Sequence, residues 1–183
     1  MTWRDLAWLA EAADAPAACL NAWASDPRAP YPLSTGRVFD VVSVDQRVGI
    51  EAFDQLLRKG RPLGPVVLDH RARRTGFLLP PDSRADFTRR LARGAGAVPA
   101  VRYLGQGSVL VVPGPRSACD DRYAWFRAPA PQAPAGPLIP VALAAALLAA
   151  VEALGCADRL GEPSGHASAS APRGPEGVWA RAG

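Results

Sequence analysis

The sequence predicts an α+β fold: a single mixed or antiparallel sheet of about five to seven strands, with helices packed mainly on one face. Three observations support this prediction. A β-branched run at residues 38–45 passes directly into an amphipathic helix. Pairs of short apolar runs follow, separated by turn residues as in antiparallel sheets. The chain has 183 residues and is 49% hydrophobic, which is enough for one domain with a substantial core.

The first 37 residues predict two helices and a loop. Thr2 can cap a helix because Asp5 stands three residues later, with Leu6 and Leu9 at helical spacing. A second helix is expected at residues 17–24, before SDPRAPYPLSTGR, which we expect to be a proline-broken loop.

The central part of the chain alternates strands and helices. After the strand at residues 38–45, VGIEAFDQLLRKG predicts a helix that ends at Gly60. GPVVLDH and TGFLLPP predict a hairpin around RARR, and DSRADFTRRLARG predicts a helix with Phe87 and Leu91 facing inward. AVRYLGQGSVLVVPG predicts two strands joined by a glycine hairpin turn, and RYAWFRAP predicts the last strand.

The C-terminal part combines an apolar run with a polar end. Residues 137–155 are apolar, but Glu152 interrupts them before the roughly 20 apolar residues that a bilayer requires. We therefore predict a packed helix and no contact with a membrane. The segment from Cys156 onward has little apolar content, so we expect a domain over residues 1–155 and a disordered tail over residues 156–183.

Charge and cysteine content limit the possible functions. With 21 basic and 17 acidic residues, the net charge is +4 and the pI is about 9.4, which permits contact with phosphate backbones. The three cysteines include no C-x-x-C pair, so we expect no structural zinc site. The first residues lack a continuous apolar segment of the signal-peptide type, so we expect a cytoplasmic protein.

The order of these segments resembles a known family. A strand with acids leads into a helix, and a hairpin, a helix, LGQGSVLVVPG and the aromatic strand YAWFRAP follow. This order is similar to the bifunctional DNA primase/polymerase N-terminal (Prim-Pol) domain of the archaeo-eukaryotic primase superfamily, in its short actinobacterial type. The resemblance covers roughly residues 29–129.

The resemblance implies a nucleotidyl-transfer site that uses divalent ions such as Mg²⁺ or Mn²⁺. It implies two acids on the first strand, a phosphate-contacting histidine on a later strand, and a third acid before the glycine turn. On the first strand, Ser43 replaces the first acid and Asp45 is the second. Asp40 is a weaker candidate, because residues five apart on a strand point to opposite faces.

The other implied positions also differ. TGFLLP has Phe77 or a neighbour where the resemblance implies histidine, and AVRYLG has Arg102 and Tyr103 ahead of the glycine turn. Nucleotidyl transfer by two metal ions requires carboxylates that converge on shared ions. We therefore expect a catalytically degenerate domain without a tightly bound cofactor, in which Asp45 is the lone family acid and the one candidate metal ligand.

Arginines supply the candidate binding surface. If the hairpin and the helix after it pack side by side, six arginines could contact the phosphates of single-stranded nucleic acid or nucleotides. These are Arg71, Arg73, Arg74, Arg89, Arg90 and Arg93. Two alternatives stay open: an active nucleotidyltransferase that uses Asp40, Asp45 and an acid such as Asp69, and a protein-interaction module that docks its apolar C-terminal helix on a partner protein.

Overall fold

The computed structural model describes residues 1–94, 96–129 and 138–161. The helices in these ranges are α1 (Trp3–Ala10), α2 (Pro16–Ser25), α3 (Gln46–Arg58), α4 (Arg84–Leu91) and α5 (Pro140–Gly161). The strands are β1 (Tyr31–Ser34), β2 (Asp40–Asp45), β3 (Val66–Asp69), β4 (Arg74–Leu79), β5 (Arg102–Leu104), β6 (Val109–Val112) and β7 (Tyr123–Arg127). The predicted α+β class is therefore confirmed.

The strands form two antiparallel sheets where the sequence predicted one. The larger sheet has five strands in the order β5-β2-β4-β3-β7, and β1 pairs with β6 in the smaller sheet. The segment expected to be a proline-broken loop contains β1, because Leu33 pairs with Leu110 of β6. The glycine turn is also not a hairpin, since β5 pairs with β2 and β6 pairs with β1.

Three helices cover one face of the large sheet, here called the helical face. Val42, Val44 and Phe77 point to this face and pack against Leu143 and Leu147 of α5 in one buried cluster. By length and composition α5 could cross a membrane, but one side of it is buried against α3 and α4. The apolar side that would dock on a partner protein in the interaction-module alternative thus packs within its own domain.

The C-terminal boundary differs from the prediction. Helix α5 continues to Gly161, six residues beyond the predicted domain end at residue 155. An ion pair of 2.7 Å between Arg47 and Asp158 joins this last part of α5 to the start of α3. The rest of the predicted tail, residues 162–183, lies outside the described residues.

The opposite face of the large sheet carries the small sheet and the first two helices. Val41, Val67 and Leu78 of the large sheet pack there against Leu33 of β1 and Leu9 of α1 in a second buried cluster. The same strand β2 thus sends Val42 and Val44 to the helical face and Val41 to this face, as the alternation of a strand requires. Two separate cores hold the large sheet between them.

Several predicted local signals act as expected. Thr2 and Asp5 form a capping box at the start of α1. Gly60 adopts a φ of +60°, a left-handed conformation that prevents α3 from continuing. Phe87 and Leu91 are buried on the inner side of α4. The sequence thus specified these helix boundaries through local chemistry.

Candidate functional site

A cleft of about 450 Å³ lies between the large sheet and strand β6. Its polar lining consists of Ser43, Asp69, Arg74, Arg102 and Tyr123. Apolar side chains of the large sheet and of β6 form its walls, including Val67, Leu104 and Leu110. Of the three predicted catalytic residues, Ser43 is the one that lines this cleft.

Strand pairing places two arginines around Ser43. Ser43 pairs with Arg102 of β5 on one side and with Gly76 of β4 on the other. Arg74 lies two residues before Gly76 and therefore shares its face. A side chain at Gly76 would crowd the floor of the cleft, because its Cβ would lie 2.8 Å from Cγ2 of Val67.

The guanidinium of Arg74 is bonded to Ser43. Its Nε donates to the Ser43 hydroxyl at 3.2 Å, and its Nη2 donates to the Ser43 carbonyl at 2.6 Å. Burial and the neighbouring charge of Arg102 lower the pKa of Arg74 below its ordinary value. Arginine keeps its proton at neutral pH nonetheless. A fixed positive charge thus stands beside the residue that replaces the first family acid.

Asp45 caps a helix and does not point into a shared carboxylate cluster. It is exposed at the N-terminus of α3, where its Oδ1 accepts a hydrogen bond of 2.9 Å from the backbone N–H of Arg47. Asp69 accepts a hydrogen bond of 3.0 Å from the backbone N–H of Ala72. Arg74 pairs with Asp45 on one neighbouring strand and with Asp69 on the other, so two strand spacings, roughly 9.6 Å, separate the two acids.

Asp40 lies on the helical face, as its five-residue distance from Asp45 predicts. Its side chain is buried, and Oδ2 accepts hydrogen bonds from the Tyr103 hydroxyl at 2.6 Å and from the Ser83 backbone N–H at 3.3 Å. Burial and this bond to Asp40 raise the pKa of Tyr103. The large sheet separates Asp40 from the cleft, so Asp40 cannot join Asp45 or Asp69 in one metal site.

The residues of the cleft do not fit a divalent cation. Within the part of the chain that the structure describes, no group of three or more histidine, cysteine, aspartate or glutamate residues could hold a metal ion. At the centre of the cleft, a hydroxyl and two guanidinium groups stand where carboxylates are needed. The candidate metal ligand Asp45 is therefore better described as a helix cap.

The six predicted arginines do not form one surface. Arg71 and Arg73 lie in the β3–β4 turn and Arg74 lines the cleft. Arg89 and Arg90 belong to α4, whose inner side packs on the helical face, and Arg93 follows that helix; Arg89 also pairs with Asp86. The predicted surface thus divides between the two faces of the large sheet, because α4 crosses to the face opposite the cleft.

Sequence reasoning did not select Arg102 as a site residue, although it lines the cleft. The sequence placed it ahead of the glycine turn, where the resemblance implies a third acid, but treated it only as a lost acid. The pairing of β5 with β2 is what brings Arg102 next to Ser43. The arginine at a position where the resemblance implies an acid was the sequence signal that could have pointed to Arg102.

Comparison with known families gives one match. The family described as bifunctional DNA primase/polymerase, N-terminal (Prim-Pol) matches residues 4–138, well over half of the chain. The chain belongs to the Prim-Pol family. Comparisons with curated proteins and with solved structures gave no match.

The Prim-Pol match covers the cleft but not the last helix. All seven described strands and helices α1 to α4 lie within residues 4–138, apart from Trp3 at the start of α1. Helix α5 begins just after the match, although its leucines complete the core of the helical face. The family assignment thus bears directly on Ser43, Arg74 and Arg102, the residues at the centre of the cleft.

Proposed function

We propose that this Prim-Pol domain is catalytically degenerate and acts as a nucleic-acid or nucleotide-binding module. The observation that supports this proposal is the guanidinium of Arg74, which is hydrogen-bonded to Ser43 in the cleft. A positive side chain at this position repels the divalent cations that nucleotidyl transfer needs and attracts a phosphate group.

The physical case against nucleotidyl transfer rests on charge and on spacing. Two-metal catalysis holds a pair of cations about 3.5–4 Å apart between shared carboxylates. Asp45 and Asp69 are separated by the strand that carries Arg74, and its fixed charge repels a cation from the space between them. The alternative of an active enzyme that uses Mg²⁺ or Mn²⁺ would have to displace this arginine.

The case for phosphate binding rests on the same residues. Guanidinium groups match phosphate oxygens in geometry and charge, and a cleft of about 450 Å³ is within the range of small-ligand sites. Arg71 and Arg73, exposed in the turn beside the cleft, extend the positive surface along which a single strand can run. The domain then needs no tightly bound cofactor.

The finer setting of this function is also part of the proposal. We propose descent from the short actinobacterial type of the archaeo-eukaryotic primase superfamily, which the order of the strands, the helices and the segment LGQGSVLVVPG supports. We also propose a cytoplasmic protein that meets nucleic acid and no membrane, and the pI of about 9.4 is compatible with contact to phosphate backbones.

Two assays on the full chain test the proposed function. We expect no product from primer-extension and primer-synthesis reactions supplied with Mg²⁺ or Mn²⁺, while fluorescence anisotropy detects binding of single-stranded DNA or RNA at low salt. The logarithm of affinity should fall linearly with the logarithm of salt concentration, with a slope of roughly −0.7 per contacted phosphate. Metal-dependent product that disappears in D45A would show an active enzyme and overturn the proposal.

A further inference from the structure

Two arginines line the cleft beside Ser43. Arg74 contacts Ser43 directly, and Arg102 pairs with Ser43 on the adjacent strand. Among the described residues neither arginine forms an ion pair with a carboxylate at 4.0 Å or less. Like charges repel each other, so their closeness favours the entry of an anion.

Arg74 and Ser43 retain hydrogen-bonding capacity toward a ligand. A guanidinium has five N–H donors, and the two bonds to Ser43 leave about three of them available. The Ser43 hydroxyl accepts from Arg74 and still has its own O–H to donate. The Arg74 side chain is half-buried in the lining of the cleft, so water hydrates its charge incompletely.

The number of charges suits a terminal phosphate better than a phosphate within a strand. A terminal phosphate carries close to two negative charges at pH 7, about −1.5 to −2, whereas a phosphodiester carries one. Asp69 also lines the cleft, but its Oδ1 lies 3.5 Å from Nε of Arg122, which offsets its charge. Arg74 and Arg102 therefore supply two positive charges to a ligand in the cleft.

We propose that Arg74 and Arg102, together with the Ser43 hydroxyl, form a metal-independent site for the terminal phosphate of a nucleotide or of a nucleic-acid strand. This inference rests on the proposed function and names the ligand group that the cleft takes. The arginines occupy the role that metal ions have in a nucleotidyl-transfer site, so a divalent cation competes with the protein for the phosphate and does not assist its binding.

Calorimetric titration of the full chain tests this site in buffer that contains EDTA. The probes are deoxyadenosine triphosphate and one single-stranded oligonucleotide prepared with a 5′-phosphate or a 5′-hydroxyl end. We expect binding in EDTA that Mg²⁺ weakens. R102Q should lower the affinity by at least about tenfold, a typical effect for a lost charge-assisted hydrogen bond.

Matched variants distinguish the loss of this site from a change in net charge and from a loss of folding. R90Q changes charge by the same amount on α4, across the large sheet from the cleft, and should leave affinity unchanged within about twofold. Arg102 is exposed, so R102Q should fold even if R74Q does not. Equal effects of R102Q and R90Q, or binding that requires Mg²⁺, would overturn the inference.

The three probes also identify the source of the phosphate. Binding of the triphosphate alone indicates a free nucleotide, and tighter binding of the 5′-phosphorylated strand than of the 5′-hydroxyl strand indicates a strand end. Equal binding of the two strands without binding of the triphosphate would refute the terminal-phosphate site, although the proposed nucleic-acid-binding function would stand. No binding of any probe would refute both.

Discussion

The hydroxyl of Tyr103 lies 2.6 Å from Oδ2 of Asp40 and donates a hydrogen bond to it. Asp40 is only 3% exposed, and no cation neutralises it among the described residues. Burying a carboxylate without such hydrogen bonds costs free energy of folding, so this contact stabilises the pairing of the edge strand β5 with β2. Asp40 is therefore a structural acid on the side of the sheet that faces away from the cleft.

Replacing Tyr103 by phenylalanine should destabilise the domain without affecting ligand binding. Removal of the hydroxyl leaves the Asp40 carboxylate with one fewer donor, at a cost of about 1–3 kcal/mol. Urea unfolding followed by circular dichroism measures the loss. Y31F is a suitable control, because no hydrogen bond of the Tyr31 hydroxyl is found among the described residues; a Y103F chain as stable as Y31F would contradict the assigned role.

Two glycines with positive φ angles should respond differently to alanine. Gly36 and Gly107 both have positive φ angles, +99° and +82°. A Cβ at Gly36 would lie 2.3 Å from Cα of Gln106, whereas one at Gly107 would meet nothing within 4 Å. We expect G107A to cost about 1–2 kcal/mol and G36A at least about 3 kcal/mol, because only the latter adds overpacking to backbone strain. Equal melting temperatures for the two variants would disprove this difference.

Cys19 should be the least reactive of the three thiols. It is fully buried, whereas Cys119 and Cys156 are exposed, and burial raises the pKa of its thiol to about 11. Because the thiolate is the reactive form, a thiol reagent at pH 8 should modify two cysteines in the folded chain and three after unfolding. Mass spectrometry of the modified peptides checks the assignment, and rapid labelling of Cys19 in the native state would contradict it.

The raised pKa of Cys19 also predicts a pH dependence of stability. The thiol ionises near 9.0 in the unfolded chain and near 11 in the folded chain. As pH rises, the thiol of the unfolded chain therefore loses its proton first, which favours unfolding. The contribution of Cys19 to the free energy of unfolding is fully present below pH 9 and is lost as pH rises toward 11, by at most about 2.7 kcal/mol. Urea midpoints between pH 8 and pH 11 should fall more steeply for the native sequence than for C19A.

Asp45 should contribute to stability and not to metal affinity. Loss of its bond to the Arg47 N–H removes the cap of α3, which costs about 1 kcal/mol in D45A, while asparagine also caps well and D45N should cost less. Calorimetry should show Mn²⁺ affinity no better than about millimolar for all three chains, since one carboxylate rarely holds such an ion. Micromolar affinity that D45A abolishes would contradict both the cap and the degenerate site.

Local chemistry made much of the fold predictable from the sequence. The capping residue Thr2, the terminating Gly60 and the inward Phe87 each act through neighbours a few residues away. Strand β1 could not be found in this way, because Pro32 lowers its intrinsic strand propensity and its pairing with β6 is a tertiary contact. The division into two sheets follows from such distant pairings.

The sequence named Ser43 and Arg74 of the cleft but not Arg102, and it did not predict the geometry that brings them together. The alternation of β2 correctly separated Asp40 from Asp45, since side-chain direction in a strand is a local property. The approach of Arg74 and Arg102 to Ser43 depends on which strands are neighbours in the sheet. The joint surface of hairpin and α4 arginines was conditional for the same reason, because the sequence gives no direct information on which face a helix covers.

The position of α5 in the chain has a consequence for synthesis. All seven described strands precede this helix, yet Leu143, Ala144 and Leu147 are needed to cover Val42 and Phe77. A nascent chain can therefore hold all seven described strands and still expose an apolar sheet face to water. That face closes only after α5 has left the ribosomal exit tunnel, so a chain stalled before residue 140 would be a natural client for chaperones and prone to aggregation.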